Sequence, residues 1–286
     1  MTTQKLRILT NAASNGAGEL KAALTALGVN VTTVRNDRPQ GRLSNARRTL
    51  KWGSFTRTLE VANEDSIINN HAGQSSLNKK RCFELLRERG VPIPEFTTER
   101  AVAEDWIRAG GFRVYERHSL TGSAGEGIVV ANNLGDLSAT VPPLYTQGIK
   151  GKRREYRIHV FNMDGVQRYF VQQKKRRAGF QEQENYTSEV RNLESGWIFA
   201  NQDITQPRQV TLDAAVAACK ALKLNFGAVD LIEQEKANGG SFVLEVNTAP
   251  GLQGATVNFY ASSLVDALNG VVDATDDTDE QPEVTQ

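Results

Sequence analysis

The chain has 286 residues, of which 39% are hydrophobic, and its 34 basic and 33 acidic side chains give a formal net charge of +1. This composition is typical of a globular protein with a sizeable core and excludes a disordered or fibrous chain. No run of sequence approaches the roughly 18 apolar residues that a membrane-spanning helix needs, and the N-terminus lacks the apolar region of a signal peptide. We therefore expect about two domains and no membrane association.

The cysteine and histidine content narrows the chemistry. Cys82 and Cys219 are the only cysteines, and three scattered histidines lie at His71, His118 and His159. A disulfide scaffold and most zinc sites are thereby excluded. The low cysteine content favours a reducing compartment, the cytoplasm.

The near-zero net charge hides an uneven distribution. Residues 271–286 carry six acids and no base, which predicts a disordered acidic tail. Basic residues cluster at 150–157 (KGKRREYR) and at 174–177 (KKRR). Such clusters are either solvated surface or the binding site of a polyanion, a nucleic acid or a polyphosphate.

The first elements predict a β-α-β unit. An apolar strand over 6–10 is followed by helical spacing of leucines and alanines over 19–27 and by a second strand over 29–34. This order indicates a parallel sheet covered by helices. The intervening loop lacks G-x-G-x-x-G, so we do not expect a nucleotide there. Residues 35–63 are polar without periodicity, and no element is predicted for them.

Two helices come next. Ser75 or Ser76 offers an N-cap for a helix that reaches Arg89, where Gly90 ends it. A shorter helix is predicted near 101–107.

A glycine-rich loop, SLTGSAGEG at 119–127, separates predicted strands at 112–116 and 128–131. Because the glycines stand between two strands, a P-loop and a Rossmann turn are both disfavoured, since those present phosphates to a helix N-terminus. The pattern fits a flexible flap whose backbone N–H groups close over phosphates. An ordinary tight hairpin remains the alternative.

The middle of the chain predicts antiparallel strands. A strand at 144–149 precedes the first basic cluster, and a pair at 156–161 and 166–173 follows it. Alternation places Arg157 and His159 on the same face.

The next segment, 178–201, is polar and predicts a loop. A helix over 211–222 carries Cys219 on its apolar face, which favours a core residue over a nucleophile.

Two strands near the C-terminus carry the most informative pattern. FGAVDLIE at 226–233 and SFVLEVN at 241–247 flank a turn-prone connection. A symmetric hairpin pairs Gln234 with Ser241.

The same register sets Asp230 opposite Glu245, with Asn247 on the face of Glu245. It also places Val243 on the face of the acids and Leu244 on the other face. Opposed carboxylates destabilise a sheet, so they require a cation or a proton. Two carboxylates and an amide oxygen suit Mg²⁺. The alternative is a polar sheet face with incidental acids, because the register could slip.

A turn at 248–252 and a helix from about 258 to 268 follow, and the helix N-terminus beside a metal site could hold an anion.

These motifs, taken in order, resemble the ATP-grasp carboxylate–amine ligases. The resemblance covers about 65–268, and its pieces are N78-K79, GVPIP, GSAGEG, LYTQGI, EYRIHV, QQKKRR and GAVDLI…FVLEVNTAPGL. The chain is similar to ribosomal-protein glutamate ligases and D-alanine–D-alanine ligases, and closer still to uncharacterised ATP-grasp proteins of bacteriophages. The resemblance implies an α/β (α+β) ATP-grasp fold that holds nucleotide between two sheet-containing lobes.

The resemblance also implies a division of the chain. Residues 1–74 would form an N-terminal β-α-β pre-ATP-grasp domain, and 75–270 the ATP-grasp domain. Within the latter, about 90–147 would form the flap subdomain and about 148–270 the metal-binding subdomain. The acidic tail would occupy 271–286.

Roles for individual residues follow from the resemblance alone. Asp230, Glu245 and Asn247 match the family's metal ligands, for Mg²⁺ or Mn²⁺. The candidate catalytic cations are Arg157, Lys174 and Arg191. The candidate ATP-binding residues are Lys79, Arg117, Gly122, Ser123, Gly125, Gly127, Gln147, Gly148, Ile149, Glu155 and Lys175.

Two departures stand out. The family usually has a lysine before the flap, where this chain has Arg117, which keeps the charge but changes its geometry. D-alanine–D-alanine ligases carry an arginine two positions before the metal aspartate, where this chain has Ala228, which argues against that substrate.

The implied reaction joins a carboxylate to an amine. ATP would phosphorylate a small-molecule or peptide carboxylate to an acyl phosphate, which an amine would attack. A nucleic-acid partner is compatible but not required, and so is a homo-oligomer, in a bacterial or phage-infected cytoplasm. The alternatives are an ATP-grasp kinase without ligation and a binding module for nucleotide or nucleic acid without catalysis.

Overall fold

The computed structural model describes residues 5–37, 48–53, 67–73, 78–121, 125–179 and 190–273. Within these residues lie thirteen strands in three sheets and five α-helices, which confirms the predicted mixed α/β class. Several predictions lie outside the described residues: Ser75, Ser76, Gly122, Ser123, most of 35–63, and the tail from 274 onward.

The N-terminal sheet is parallel, as predicted. Its strands are β1 (Lys5–Thr10), β2 (Asn30–Arg35), β3 (Arg48–Trp52) and β4 (Ile67–Ile68), in the order β2-β1-β3-β4. Helix α1 (Asn15–Ala26) connects β1 to β2. The β-α-β unit is therefore confirmed.

Helix α1 begins four residues before the predicted start at 19. Ser14 caps it, because its hydroxyl accepts a hydrogen bond from the Ala17 N–H at 3.3 Å. Gly16, in the first turn, allows a close approach: a Cβ there would lie 3.1 Å from the carbonyl oxygen of Pro250. Gly16, which weakens the helical pattern, thus permits packing against a distant loop.

Strand β3 lies in the segment for which no element was predicted. Leu50 and Trp52 are buried, and so is Thr49, whose hydroxyl accepts a hydrogen bond from buried Arg7 at 3.2 Å. Because polar side chains satisfy each other inside this layer, the strand lacks an apolar signature.

The second sheet is antiparallel and belongs to the predicted flap region. Its strands are β5 (Phe96–Thr97), β6 (Val114–Arg117), β7 (Ile128–Ala131) and β8 (Leu144–Gln147), in the order β5-β8-β6-β7.

Helix α3 (Arg100–Gly110) packs on this sheet, whereas the buried residues of α2 (Lys79–Glu88) join the core of the sheet described next. The N-cap of α2 is Asn78, which accepts a hydrogen bond from the Arg81 N–H at 3.0 Å, so the prediction of Ser75 or Ser76 as the cap is wrong.

The third sheet is antiparallel, in the order β11-β10-β9-β12-β13. Its strands are β9 (Arg153–Met163), β10 (Val166–Arg176), β11 (Trp197–Ala200), β12 (Phe226–Gln234) and β13 (Ser241–Asn247). The remaining helices are α4 (Gln209–Ala221) and α5 (Ala255–Leu268). Strand β11 lies within 178–201, where a loop was predicted, so that prediction is wrong for residues 197–200. The strand was missed because four residues at a sheet edge are too short to show a recognisable alternation.

The register of the carboxylate hairpin is partly as predicted. Asp230 pairs with Glu245, but Glu233 rather than Gln234 pairs with Ser241. An irregularity between Asp230 and Leu231 absorbs the difference of one residue.

This β-bulge also exchanges two apolar residues. Val243 is fully buried in the core with Leu231, whereas Leu244 lines the cleft described below. The predicted faces of these two residues are therefore wrong, since an inserted residue reverses the alternation beyond it.

A continuous core fixes the N-terminal sheet to the third sheet. Trp52 of β3 lies 5.5 Å from Phe226 of β12 and 5.8 Å from Tyr260 of α5, measured between ring centroids. Cys219 is buried, and burial raises the pKa of its thiol to about 12, in agreement with a core role. In the described part of the chain, no helix is long and apolar enough to cross a membrane.

Candidate active site

A cleft of about 420 Å³ opens between the second sheet and the third. Strands β6 and β8 wall one side, and β9 to β13 supply the other. Twelve of the residues singled out from sequence line it: Arg117, Gly125, Gln147, Gly148, Ile149, Glu155, Arg157, Lys174, Arg191, Asp230, Glu245 and Asn247.

The three other candidates that the structure describes, Lys79, Gly127 and Lys175, do not line the cleft. Lys79 adjoins the cleft through its Nζ, 3.6 Å from the Glu245 carboxylate. Lys175 does not join it, because the next residue along a strand points to the other face, where its Nζ donates to the Asp203 carbonyl. Gly127 closes the base of the flap, and its carbonyl accepts a hydrogen bond from the His118 N–H at 2.8 Å.

Asp230 and Arg157 form a bidentate pair across adjacent strands. Arg157 Nε donates to Oδ1 at 2.7 Å, and Nη2 donates to Oδ2 at 2.8 Å. Burial opposes ionisation of Asp230, but the charge and hydrogen bonds of Arg157 outweigh it and hold the pKa of the carboxyl below its usual value. Asp230 is therefore ionised at neutral pH.

Each of the opposed acids is balanced by a side-chain cation, Asp230 by Arg157 and Glu245 by Lys79. The sequence-based requirement for a compensating positive charge is thus met without an ion. Next to them, Asn247 Nδ2 is buried and has no hydrogen-bond partner among the described residues. A buried N–H donor without a partner indicates that a bound molecule could accept a hydrogen bond from it.

Glu155 is the second acidic position. It is buried, and three cations surround its carboxylate: Arg191 at 3.3 Å, Lys174 at 3.4 Å and Arg153 at 3.6 Å. Sequence reasoning missed Arg153, although its spacing of two from Glu155 and of four from Arg157 could have placed all three on one face.

Arg117 lies on β6 and faces the cleft beside Tyr115. Its Nε donates to the Thr146 hydroxyl at 3.4 Å. Burial lowers the pKa of its guanidinium, and the negative charge of Glu245 partly opposes that effect. The cation before the flap therefore acts on Glu245, as Lys79 does.

The hinge after β8 is tightly held. The Gln147 N–H donates to the Glu95 carbonyl at 2.8 Å, and the Gly148 N–H donates to the Arg113 carbonyl at 2.7 Å. A Cβ on Gly148 would lie 3.0 Å from that carbonyl oxygen, so glycine permits the close approach. Two backbone N–H groups of the candidate ATP-binding segment 147–149 thus already donate to backbone carbonyls.

Sequence reasoning missed further lining residues. They include Pro94, Tyr115, Ile128, Thr146, Asn192, Phe199, Ile232 and Leu244. Phe199 carried no signal because it lay in a predicted loop, and Leu244 was assigned to the wrong face. Residues that reach a site through a bulge or an edge strand leave no regular pattern.

The architecture is that of the ATP-grasp proteins. The fold is similar to D-alanyl-alanine synthetase A from Vibrio cholerae, with a TM-score of 0.64 and 14% identity over 95% of this chain and 99% of that one. It is also similar to the ATP-grasp ligase PsnB solved with minimal precursor, Mg and ADP, with a TM-score of 0.61 and 14% identity over 94% of this chain and 99% of that one.

The chain belongs to a particular family within that class, because residues 76–266 match the RimK-like ATP-grasp domain. The chain is also 29% identical, over 70% of its length, to a probable alpha-L-glutamate ligase of Photobacterium profundum. It spans 65% of the length of that relative. The family resemblance seen in the sequence is therefore confirmed.

Proposed function

We propose that this protein is an ATP-dependent ligase that joins a carboxylate to an amine through an acyl phosphate. One observation carries the proposal: the opposed acids Asp230 and Glu245 share a single cleft with cations from both walls. Such a site can bind a triphosphate and stabilise the negative charge that develops during phosphoryl transfer.

The donor set fits a hard divalent ion. Asp230, Glu245 and the Asn247 amide would hold Mg²⁺, with Mn²⁺ as the substitute that the same oxygen donors accept. Asn247 would offer its Oδ1 to the ion, and its buried Nδ2, which has no hydrogen-bond partner among the described residues, would donate to a phosphate oxygen. When bound, the ion supplies charge neutralisation at the phosphate oxygens.

Arg157 has donors left for a substrate. A guanidinium carries five N–H groups, and the Asp230 pair uses one on Nε and one on Nη2. The other N–H groups can bind phosphate oxygens while Asp230 keeps the side chain in place. Lys174 and Arg191, now around Glu155, would add charge when a nucleotide enters.

The flap gives the reaction its dry environment. Gly125 lines the cleft at the end of the loop between β6 and β7. We propose that this loop closes over the phosphates, because an acyl phosphate must be protected from water until the amine attacks.

The substrates are proposed by class. A relative named a glutamate ligase and a structural neighbour solved with a peptide precursor favour an amino acid or a peptide as acid and amine. The basic residues Arg153, Arg157 and Lys174 face into the cleft, so no nucleic-acid partner is needed to explain their positive charge.

Cys82 and Cys219 are both free and buried, which supports a cytoplasmic enzyme. A homo-oligomer and the domain limits at 74 and 270 remain part of this proposal.

The decisive experiment measures ADP release across pooled carboxylates and amines, with mass spectrometry of the products. A ligase requires both an acid and an amine and yields an amide. ADP release with an acid alone would indicate the kinase. Nucleotide binding without any turnover would indicate the binding module, and the ligase proposal would be wrong.

A further inference from the structure

We infer that strand β11 is an aromatic shelf, formed by Trp197 and Phe199, that positions the cations of the cleft. The inference rests on the proposed function, since it assigns these rings a role in binding phosphate. No role was expected for either residue, because both lie in a segment that was predicted to be a loop.

Each cation proposed to be catalytic lies near a ring of β11. The Arg157 guanidinium carbon is 4.1 Å from the Phe199 ring centroid, and Lys174 Nζ is 5.2 Å from the same centroid. The Arg191 guanidinium carbon is 4.3 Å from the Trp197 ring. All three distances are within the range of cation–π attraction.

The sheet explains why two rings serve three cations. Trp197 and Phe199 are two residues apart and so share a face of β11, and Phe199 lies directly opposite Lys174 on β10. Arg157 projects from the next strand, β9, where it pairs with Gln172 of β10. Phe199 therefore lies beside charges contributed by two neighbouring strands, whereas Trp197 meets Arg191, which precedes β11 in the chain.

The surroundings strengthen these contacts. The side chains of Arg157, Lys174 and Arg191 are only 20%, 15% and 17% exposed. A cation held away from water gains more from an aromatic face than a solvated one does.

Arg157 is held by two partners of different kinds. Asp230 accepts two of its N–H groups, and Phe199 lies against the guanidinium. An arginine confined by both loses few conformations when it binds a phosphate, because its orientation is already set. Phe199 is thus a positioning residue that acts through Arg157 and Lys174.

The test separates phosphate binding from purine binding. We would measure the affinities of ADP with Mg²⁺ and of adenosine by competition against a fluorescent nucleotide. In the Phe199→Leu variant, ADP should bind about fivefold more weakly, while adenosine binding stays unchanged. Phe199→Tyr should restore ADP binding, because it restores an aromatic face.

The matched control is Ile198→Leu. Ile198 lies between the two rings, is 40% exposed and pairs with Lys175, which lies outside the cleft. It should leave both affinities unchanged. Trp197 acts through Arg191, so Trp197→Leu should weaken the binding of ADP and leave the binding of adenosine unchanged.

Two results would overturn the shelf while leaving the proposed function intact. One is an unchanged ADP affinity in Phe199→Leu, and the other is an equal loss for ADP and adenosine, which would mean a merely structural role. A wild-type chain that binds ADP no better than adenosine would overturn both proposals.

Discussion

Arg157 on β9 and Asp230 on β12 are register partners, and both carboxylate oxygens accept hydrogen bonds from the guanidinium, at 2.7 and 2.8 Å. A proposed metal ligand is therefore oriented by a proposed catalytic cation. Strand β12 has Ala228 two positions before Asp230, and the neighbouring strand β9 supplies the cation. One pair thus links charge balance in the resting protein to the proposed chemistry.

The two acids are expected to be essential for turnover. The Asp230→Asn plus Glu245→Gln variant should lose at least about 10²-fold in ADP release, because the donor set for the cation is neutralised. Circular dichroism should show a folded chain. Asp213→Asn, on the exposed face of α4, is the control and should retain activity. Activity in the double variant would contradict the metal assignment.

Replacing Arg157 by Met should change how stability depends on pH. In the wild type, the lowered pKa of Asp230 contributes stability that is present above the carboxyl's unfolded pKa and is lost in more acidic solution. Without Arg157, burial should raise that pKa, so the variant is stabilised by protonation. In urea unfolding, the difference in free energy of unfolding between wild type and variant should become smaller as the pH falls from neutral toward 4.

The control for Arg157→Met is Arg154→Met, on the same strand but paired with Glu235 outside the cleft. The free energy of unfolding of this control should change with pH as that of the wild type does. If the difference between Arg157→Met and wild type also stays constant with pH, Arg157 does not set the ionisation of Asp230.

His159 should give the protein a second acid-sensitive step. Burial lowers its pKa to about 4, and its ring contacts Gln172 at 2.9 Å and Tyr260 at 3.1 Å. Gln172 Oε1 can only accept a hydrogen bond, so Nε2 of His159 donates to it and Nδ1 accepts from the Tyr260 hydroxyl. A ring with one donor and one acceptor nitrogen is the neutral form of histidine. Its stabilising effect is complete above the unfolded pKa of about 6.5 and is lost as the pH falls toward 4.

Between pH 7.5 and pH 5, the free energy of unfolding measured in urea should therefore fall by about 2 kcal/mol because of His159. The His159→Gln variant should lack most of that difference, whatever its absolute stability. His118→Gln, whose ring is 28% exposed, should keep it. An identical pH dependence in wild type and His159→Gln would contradict the assignment of a buried neutral ring.

Arg117 should set the ATP requirement. Arg117→Ala should raise the KM for ATP, because a cation next to the acidic pair is removed from the nucleotide cleft. Arg117→Lys should recover part of the effect, because lysine restores the positive charge without the guanidinium geometry. Arg108→Ala, on exposed helix α3, is the control. An unchanged KM in Arg117→Ala would remove Arg117 from the site.

The sequence was informative wherever local pattern decides structure. Alternation along two strands correctly placed Asp230 opposite Glu245. The same reasoning failed for Leu244, because a bulge depends on how the turn joins the strands and not on alternation. Strand β3 escaped notice because its polar residues are satisfied by partners far along the chain, as Thr49 is by Arg7.

From local pattern, the sequence predicted most of the elements, apart from β3 and β11, together with the acidic hairpin and the family, because period, turn chemistry and motif spacing are properties of neighbouring residues. The tertiary structure was needed to show which cation meets which acid, that Phe199 lines the cleft, and that Trp197 lies against Arg191. The contact between Arg157 and Asp230 joins residues 73 positions apart, and its partners are chosen by strand order and register, which no local pattern encodes.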